Sequence, residues 1–270
     1  MKKFSYKKLF TALLWAMAVA GIGLSLAFVS EKVSLVKVGS VDVRIENDDE
    51  NFFIDGEEVR DYYASREDRI IGMPLGEISL PSLEKALNAH PAVENADVAA
   101  TLNGAVKISV RQRTPLLRVF TLEGESYYID NRARLMPLDE HYTARVLVAT
   151  GEINEPYARR SMFTVDQIAS NKIYRDVSIL DDLYAVARHI AADTVLSCLI
   201  QQLHVNRDNE IEMYPAAGDH RILLGDAADL NVKFNKLKLF YTEGLNTTNG
   251  WMKYSMINLK FKDLVVCTRK

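Results

Sequence analysis

The sequence predicts an α+β protein with three parts: a transmembrane helix, a domain with the element order strand, helix, helix, strand, strand, and a second, mostly antiparallel α+β domain. Three observations predict this architecture. An uncharged run of 21 residues lies near the N-terminus. Runs that alternate apolar and polar residues recur along the rest of the chain, as in half-buried strands. Two of these runs flank an Asn-Gly pair, the strongest short signal of a β-hairpin.

The bulk composition allows two compact domains in addition to an anchor. The chain has 270 residues, of which 48% are apolar and 26% are charged, so a sizeable core can be buried. The net charge is −3, and four lysines before residue 30 contribute +4, which leaves −7 for the remainder. A mildly acidic body argues against nucleic acid as the partner, since phosphate binding needs a basic surface.

Two cysteines, Cys198 and Cys267, are the only ones in the sequence. They are too few for a disulfide-stapled fold, and neither lies in a Cys-x-x-Cys pair. Both fall in strand-like apolar runs, where a small buried thiol is the ordinary state. Whether they pair is left open by the sequence.

The segment from Leu9 to Val29 predicts the compartment. As a helix its 21 residues would span about 31 Å, close to the ~30 Å hydrocarbon core of a bilayer. Because the lysines precede it, the positive-inside rule places residues 1–8 in the cytoplasm and the bulk of the chain outside. The alternative is a signal peptide cleaved near Ser25-Leu26-Ala27, but a signal core is usually about 7–15 residues long. We therefore predict an uncleaved anchor in the lipid bilayer.

Residues 33–114 are predicted to form the first domain. From Val33 to Glu46, valines and an isoleucine alternate with polar residues, as in a half-buried strand. One short helix is predicted from Asp55, which begins a capping-box pattern, and a second between Ser79 and Pro91. The hairpin around Asn103-Gly104 completes the domain, and this pair predicts a type I′ turn with positive φ at both central residues.

Residues 115–270 are predicted to form the second domain, in which strands outnumber helices. Apolar residues recur at helical spacing from Leu180 to Thr194 and from Leu230 to Glu243. Residues 152–179 match no pattern. The predicted strands are Leu116–Leu122, Ser126–Asp130, Arg145–Thr150, Cys198–Val205, Glu210–Tyr214, Arg221–Leu224, Tyr254–Phe261 and Leu264–Thr268.

The sequence lacks the motifs that carry common enzyme chemistry. It contains no Gly-x-Ser-x-Gly elbow, no His-Glu-x-x-His pair and no phosphate-binding Gly-x-x-x-x-Gly-Lys loop. The five histidines have no metal-ligand spacing on one helix face. The adjacent carboxylates Asp181 and Asp182 suit a helix N-terminus better than paired acid–base catalysis. We therefore predict no enzyme activity, no cofactor, no metal and no small-molecule substrate.

Two motifs in the hairpin region resemble the end of a POTRA domain of the FtsQ/DivIB family. His90 to Val98 is similar to the family's Pro-x-Val-x-x-Ala-x-Val, and Val106 to Pro115 to its Ile-x-Val-x-Glu-Arg-x-Pro. The sequence departs from the family at Gln112, where glutamate is usual, and at Ala133, where a glycine often stands. Motifs of the family's second, β domain are matched in the same order by Tyr128-Ile129-Asp130, Leu147 to Gly151, Leu224-Gly225 and Ile257 to Phe261.

The resemblance implies a non-catalytic scaffold of the bacterial divisome. Such proteins recruit and link membrane division proteins at the septum, and their β domain binds an FtsB/FtsL-like pair. They cross the inner membrane once, with the N-terminus in the cytoplasm and the bulk in the periplasm. The implied binding mode is β-augmentation, in which a partner segment adds a strand to an open sheet edge.

The family pattern places the contact strand directly after the Ile257 to Phe261 motif. Its apolar residues are unusual for a free edge, which normally carries charge or proline, so the alternative is a central, simply packed strand. The predicted partner-binding residues are Phe261, Lys262, Asp263, Leu264, Val265, Val266, Cys267 and Thr268.

Two other functions stay open. A secreted periplasmic POTRA module for envelope assembly would be released by signal cleavage, and such modules usually accompany repeated POTRA units or a barrel of ten-residue strands. A soluble chain that starts near Phe28 would favour it. An anchored wall hydrolase would need a convergent nucleophile or metal set, and activity on peptidoglycan would favour that function.

Overall fold

The computed structural model describes two compact units, one up to Gln112 and one from Arg113. The described residues are 10, 13–21, 23, 33–47, 52–54, 70–140, 142–246 and 251–270. Within the predicted anchor, the residues that are described are helical. No helix in these ranges combines the length and the apolar character needed to cross a membrane. The predicted helix from Asp55 lies outside the described residues.

The first unit contains a three-stranded sheet and a helix. Strand β1 is Ser40–Glu46, helix α1 is Leu80–Asn88, and strands β2 and β3 are Val93–Ala100 and Ala105–Gln112. Across the sheet the order is β1-β3-β2, with β1 parallel and β2 antiparallel to β3. The buried face of α1 carries leucines four residues apart, which is the spacing of one helix face. The predicted α1 and hairpin are confirmed.

The turn of the hairpin differs from the predicted type. The N–H of Gly104 donates to the carbonyl of Thr101 (3.1 Å). Gly104 has a positive φ of 86°, but Asn103 does not, so the turn is not type I′. A Cβ at Gly104 would lie 2.3 Å from the carbonyl oxygen of Lys37. Glycine is therefore required here both for the left-handed backbone and for the close approach of a neighbouring segment.

The second unit is built on a nine-stranded sheet. Its strands in chain order are β4 Pro115–Phe120, β5 Ser126–Asp130, β6 Leu135–Met136, β7 Leu147–Gly151, β8 Ile200–Val205, β9 Ile211–Pro215, β10 Arg221–Gly225, β11 Tyr254–Asn258 and β12 Val266–Arg269. Across the sheet they lie in the order β12-β11-β10-β9-β8-β7-β4-β5-β6. The pairs β4–β7, β7–β8 and β10–β11 are parallel. The other five pairs are antiparallel, so the sheet is mostly antiparallel, as predicted.

Helices cover one face of this sheet. They are α2 Tyr157–Arg160, α3 Val165–Ser170, α4 Leu180–Ala191, α5 Thr194–Leu199 and α6 Leu230–Leu239, which a π-helical segment, Phe240–Leu245, continues. Buried side chains of α3 to α6 share one hydrophobic core with alternate residues of the strands from β4 to β11. Because successive strand residues point to opposite faces, the shared core places these helices on one side.

The predicted strand from Cys198 begins two residues later, at Ile200. Helix α5 precedes it because the carboxylate of Asp193 accepts hydrogen bonds from two N–H groups in the first turn, both at 3.0 Å, which satisfies donors that a helix start leaves unpaired. Cys198 is therefore an exposed residue of α5 rather than a buried strand residue. Both cysteines are free thiols, which answers the pairing question that the sequence left open.

The last two strands are shorter than predicted. β11 ends at Asn258 rather than at Phe261, and β12 covers Val266–Arg269, beginning two residues later than predicted. The carbonyls of Leu259 and Phe261 accept hydrogen bonds from the ammonium of Lys236 on α6. The side chain of Phe261 is exposed rather than packed on the core face. Lys236 therefore stabilises the segment that connects β11 with β12, at positions where the sequence predicted that the strand would continue.

Candidate functional site: the open edge of the sheet

The predicted partner-binding residues lie at one edge of the nine-stranded sheet. Among the described residues, β12 pairs with β11 and with no other strand. Residues 259–265 connect the two strands. The alternative of a central, packed strand is therefore wrong. We call residues 261–269 the open edge.

The opposite edge of the same sheet is protected. β6 has only two residues, and both of its side chains are buried. Beside it, Arg134 forms a β-bridge with Thr164, and the N–H of Val165 donates to the carbonyl of Ala133 (2.8 Å). A short, covered strand is a usual protection against unwanted pairing. The two edges therefore differ, and within the described part of the chain nothing covers the open edge as β6 is covered.

The hydrogen bonds of β11 show which backbone groups of β12 face outward. The N–H of Leu259 donates to the carbonyl of Leu223 in β10 (2.9 Å), so the backbone groups of Asn258 face β12 instead. Asn258 pairs with Val266, which therefore directs its N–H and C=O toward β11. Because antiparallel pairs alternate, the N–H and C=O of Cys267 point away from the sheet and can pair with an added strand.

From Leu264 to Thr268 the side chains of the open edge alternate between two environments. Val265 and Cys267 pack against the hydrophobic core, and burial raises the pKa of the Cys267 thiol. Val266 and Phe261 are exposed, and Leu264 is 64% exposed. Large exposed apolar side chains beside unpaired backbone are typical of a binding surface.

The chain segment that carries the open edge is rich in basic residues. Residues 251–270 contain five basic side chains and one carboxylate, in a chain whose net charge is −3. Two of the basic side chains are held in place by ion pairs, Lys260 with Glu210 and Lys270 with Asp219. Local positive charge favours an acidic partner and speeds its association.

The family motifs of the second unit are explained by its structure. Asp130, which ends the Tyr-Ile-Asp motif, is buried and accepts a charge-assisted hydrogen bond from Arg113 (2.8 Å). Its other oxygen accepts from the N–H groups of Arg132 (2.9 Å) and Arg134 (2.7 Å). Ala133, which replaces the family's glycine, has a positive φ of 62°. The motif therefore builds a turn and places no reactive group at the open edge.

Gly151 ends the Leu147 to Gly151 motif at a close approach of two strands. Its φ is 102°, and a Cβ there would lie 2.1 Å from the carbonyl oxygen of Val205. No other residue type fits this position without a shift of the backbone. The motif is therefore explained by packing.

Gln112 occupies the position where the family usually has glutamate. Its side chain is buried, and its Oε1 accepts a hydrogen bond from the N–H of Ile54 (3.0 Å). Its backbone N–H donates to the side-chain oxygen of Asn47 (3.2 Å). The side-chain amide of Gln112 therefore satisfies a buried backbone donor.

Two buried polar clusters were not found by sequence reasoning. Within residues 152–179, the Nε of Arg160 donates to Glu155 (2.6 Å), and both side chains are buried. In the second cluster, the Nε2 of His220 lies 2.8 Å from the hydroxyl of Tyr241. Isolated charged residues are normally exposed, so neither cluster has a recognisable spacing in the sequence.

The described residues hold no cluster of metal-ligating side chains. Among them, no group of three or more His, Cys, Asp or Glu side chains could hold a metal ion. A cavity of about 490 Å³ beside β4, β7 and β8 is lined mainly by apolar side chains, and Arg145 is the only charged one among the described residues that line it. A lone exposed arginine provides neither a nucleophile nor a general base.

Comparison with known families matches both units. The family model described as FtsQ/DivIB, C-terminal related, matches residues 114–268, more than half of the chain. A POTRA-like domain model matches residues 37–111. No curated protein matches the chain significantly.

These matches bear on the role of the protein. Both families are non-enzymatic scaffold families, and FtsQ/DivIB membership indicates a role in cell division through interactions with divisome proteins. The first unit is a POTRA-like domain. Since the FtsQ/DivIB-related domain accounts for almost all of the second unit, the chain belongs to the FtsQ/DivIB family of cell-division proteins.

Proposed function

We propose that this protein is a membrane-anchored scaffold of the divisome that binds an FtsB/FtsL-like partner at its open edge by β-strand addition. The observation that carries the proposal is the asymmetry of the nine-stranded sheet, whose β6 edge is covered while β12 is left open by the residues that the structure describes. Strand addition provides affinity through main-chain hydrogen bonds and specificity through alternate side chains.

The outward backbone groups of Cys267 support this binding mode. A partner strand beside β12 would exchange hydrogen bonds with that N–H and C=O and extend the sheet to ten strands. Its side chains on the helix side would meet the edge of the core where Val265 and Cys267 pack. On the other face they would lie beside the exposed Val266. Carboxylates in the partner would complement the basic residues around the open edge.

The substitution Cys267→Pro is expected to weaken partner binding at least ten-fold, which corresponds to about 1.4 kcal/mol. Proline removes the outward N–H, and its ring obstructs an added strand, but an edge strand tolerates proline. The measurement is the affinity of the full chain for the FtsB/FtsL-like pair of the same organism.

Two variants control this experiment. Cys267→Val keeps the N–H and the apolar contact with the core, so it should bind like the wild type. Val266→Pro removes a donor that faces β11, so it should lower the thermal stability of the protein more than Cys267→Pro does. Normal binding by a folded Cys267→Pro protein would exclude this strand as the contact.

The anchor is part of the same proposal. An uncleaved helix over residues 9–29 would hold the protein in the inner membrane, with the bulk in the periplasm near the septum. The 21 uncharged residues and the preceding lysines support it. We expect the full-length chain in the membrane fraction, resistant to extraction by high salt and carbonate, with both units degraded by protease added to spheroplasts. A soluble form that lacks the first thirty residues would contradict the anchor.

A further inference from the structure

A buried aromatic cluster lies beside the strands that support the open edge. His220, directly before β10, is only 5% exposed. Its Nε2 lies 2.8 Å from the hydroxyl of Tyr241 in the π-helical segment. The rings of His220 and Trp251 have centroids 6.3 Å apart, and those of Tyr241 and Trp251 are 5.1 Å apart. We call these three residues the His220 cluster.

The cluster joins three consecutive parts of the fold. His220 leads into β10, Tyr241 lies in the segment that continues α6, and Trp251 lies shortly before β11. β11 in turn pairs with β12. A Cβ at Gly218 would lie 2.6 Å from the imidazole ring, so the ring is confined on that side as well. A rearrangement of the cluster can therefore displace the start of β11 and, through it, the paired strand β12.

The electrostatics of the cluster favour a neutral imidazole. Burial lowers the pKa of His220 below its ordinary value of 6.5, while the Trp251 backbone and the carboxylate of Asp219 act in the opposite direction. The ammonium of Lys270, paired with Asp219, adds to the lowering. Burial also raises the pKa of the Tyr241 hydroxyl, so that group stays neutral and cannot compensate a charged ring.

The pH dependence follows from the direction of the shift. A histidine whose pKa is lower in the folded state than in the unfolded state binds fewer protons when folded, so stability rises with pH in that window. The stabilisation from neutral His220 is complete above about pH 6.5 and is lost as the pH falls through the lowered pKa. Mild acid is therefore the condition that disturbs the cluster.

We propose that His220 is an acid-sensitive latch: its protonation places a charge among Tyr241 and Trp251, separates the rings and loosens the start of β11. On the proposed function, this would weaken the support of β12 and reduce docking in an acidified periplasm. The latch itself does not depend on the docking partner, because its groups all belong to this chain.

Trp251 provides a direct readout of the latch. The sequence has two tryptophans, so the full-length protein with Trp15→Phe reports Trp251 alone. We expect its fluorescence to change in one step between about pH 8 and about pH 5, with a midpoint below 6.5. In His220→Gln, which can still hydrogen-bond with Tyr241 but does not titrate in this range, the step should disappear. His204→Gln, a change to a half-buried histidine of β8, should keep it.

A substitution of an exposed residue next to His220 tests the latch even if the His220→Gln protein does not fold. Asp219 is exposed, and its carboxylate raises the pKa of His220, so Asp219→Asn should shift the midpoint to lower pH at low ionic strength. A step that persists in a folded His220→Gln protein, or a midpoint that does not fall in Asp219→Asn, would overturn the latch. Because the unbound protein is measured, this outcome is independent of whether β12 binds a partner.

Discussion

Glu155→Ala is expected to destabilise the second domain by about 3–5 kcal/mol, because it leaves the guanidinium of Arg160 buried without its counter-charge. The side chains of Glu155 and Arg160 are only 1% and 7% exposed. Arg160 also lies over the ring of Tyr174, 3.8 Å from its centroid, so it cannot swing into solvent without losing that contact. Denaturant unfolding followed by Trp251 fluorescence in the Trp15→Phe protein measures the effect in the second domain.

An exposed ion pair in the same segment provides the matched control. The side chains of Arg175 and Asp176 are paired at 3.2 Å and are both largely exposed. Surface pairs contribute about 0–1 kcal/mol, so Asp176→Ala should change the unfolding midpoint little. Equal effects of Glu155→Ala and Asp176→Ala would show that the buried pair has no special role in stability.

Removal of residues 262–270 is expected to abolish binding of the FtsB/FtsL-like pair. The deletion removes β12, its outward backbone groups and three of the five basic residues at the end of the chain. Strand addition depends on those main-chain groups, so this loss should exceed the effect of Cys267→Pro. Co-purification of the pair with the full chain and with the shortened chain compares the two directly.

The shortened protein needs a test of its fold, because Val265 and Cys267 cover part of the core. Circular dichroism and thermal unfolding should show a folded protein with a modestly lower melting temperature. A folded, shortened protein that still co-purifies with the pair would place the contact elsewhere. If the shortened protein unfolds, the Cys267→Pro and Cys267→Val comparison decides instead.

Elements with a strong local signal could be predicted from the sequence. The leucines of α1 and the alternation around the Asn103-Gly104 turn specify a helix and a hairpin through neighbours in the chain. The turn type was wrong because Gly104 also packs against the carbonyl of Lys37, a contact that is distant in sequence. Helix α5 was missed because six residues are too few to establish a helical period.

The candidate site was predictable in its position but not in its geometry. A resemblance to the family indicated residues 261–268, whereas the order of strands depends on contacts between distant segments. The bend at Phe261 depends on Lys236, which contacts the connection from another element. An alternating pattern cannot show which of two adjacent residues, Val266 or Cys267, directs its N–H outward, because that depends on the register with β11.

The coverage of β6 has a consequence for stoichiometry. If a sheet can accept a strand at both edges, molecules can associate head to tail without limit. If it can accept a strand at one edge only, association stops after a single addition. With β6 only two residues long and buried, the described residues of the second domain leave one position for a tenth strand. A scaffold of this kind would bind one partner strand per molecule and would not nucleate a filament.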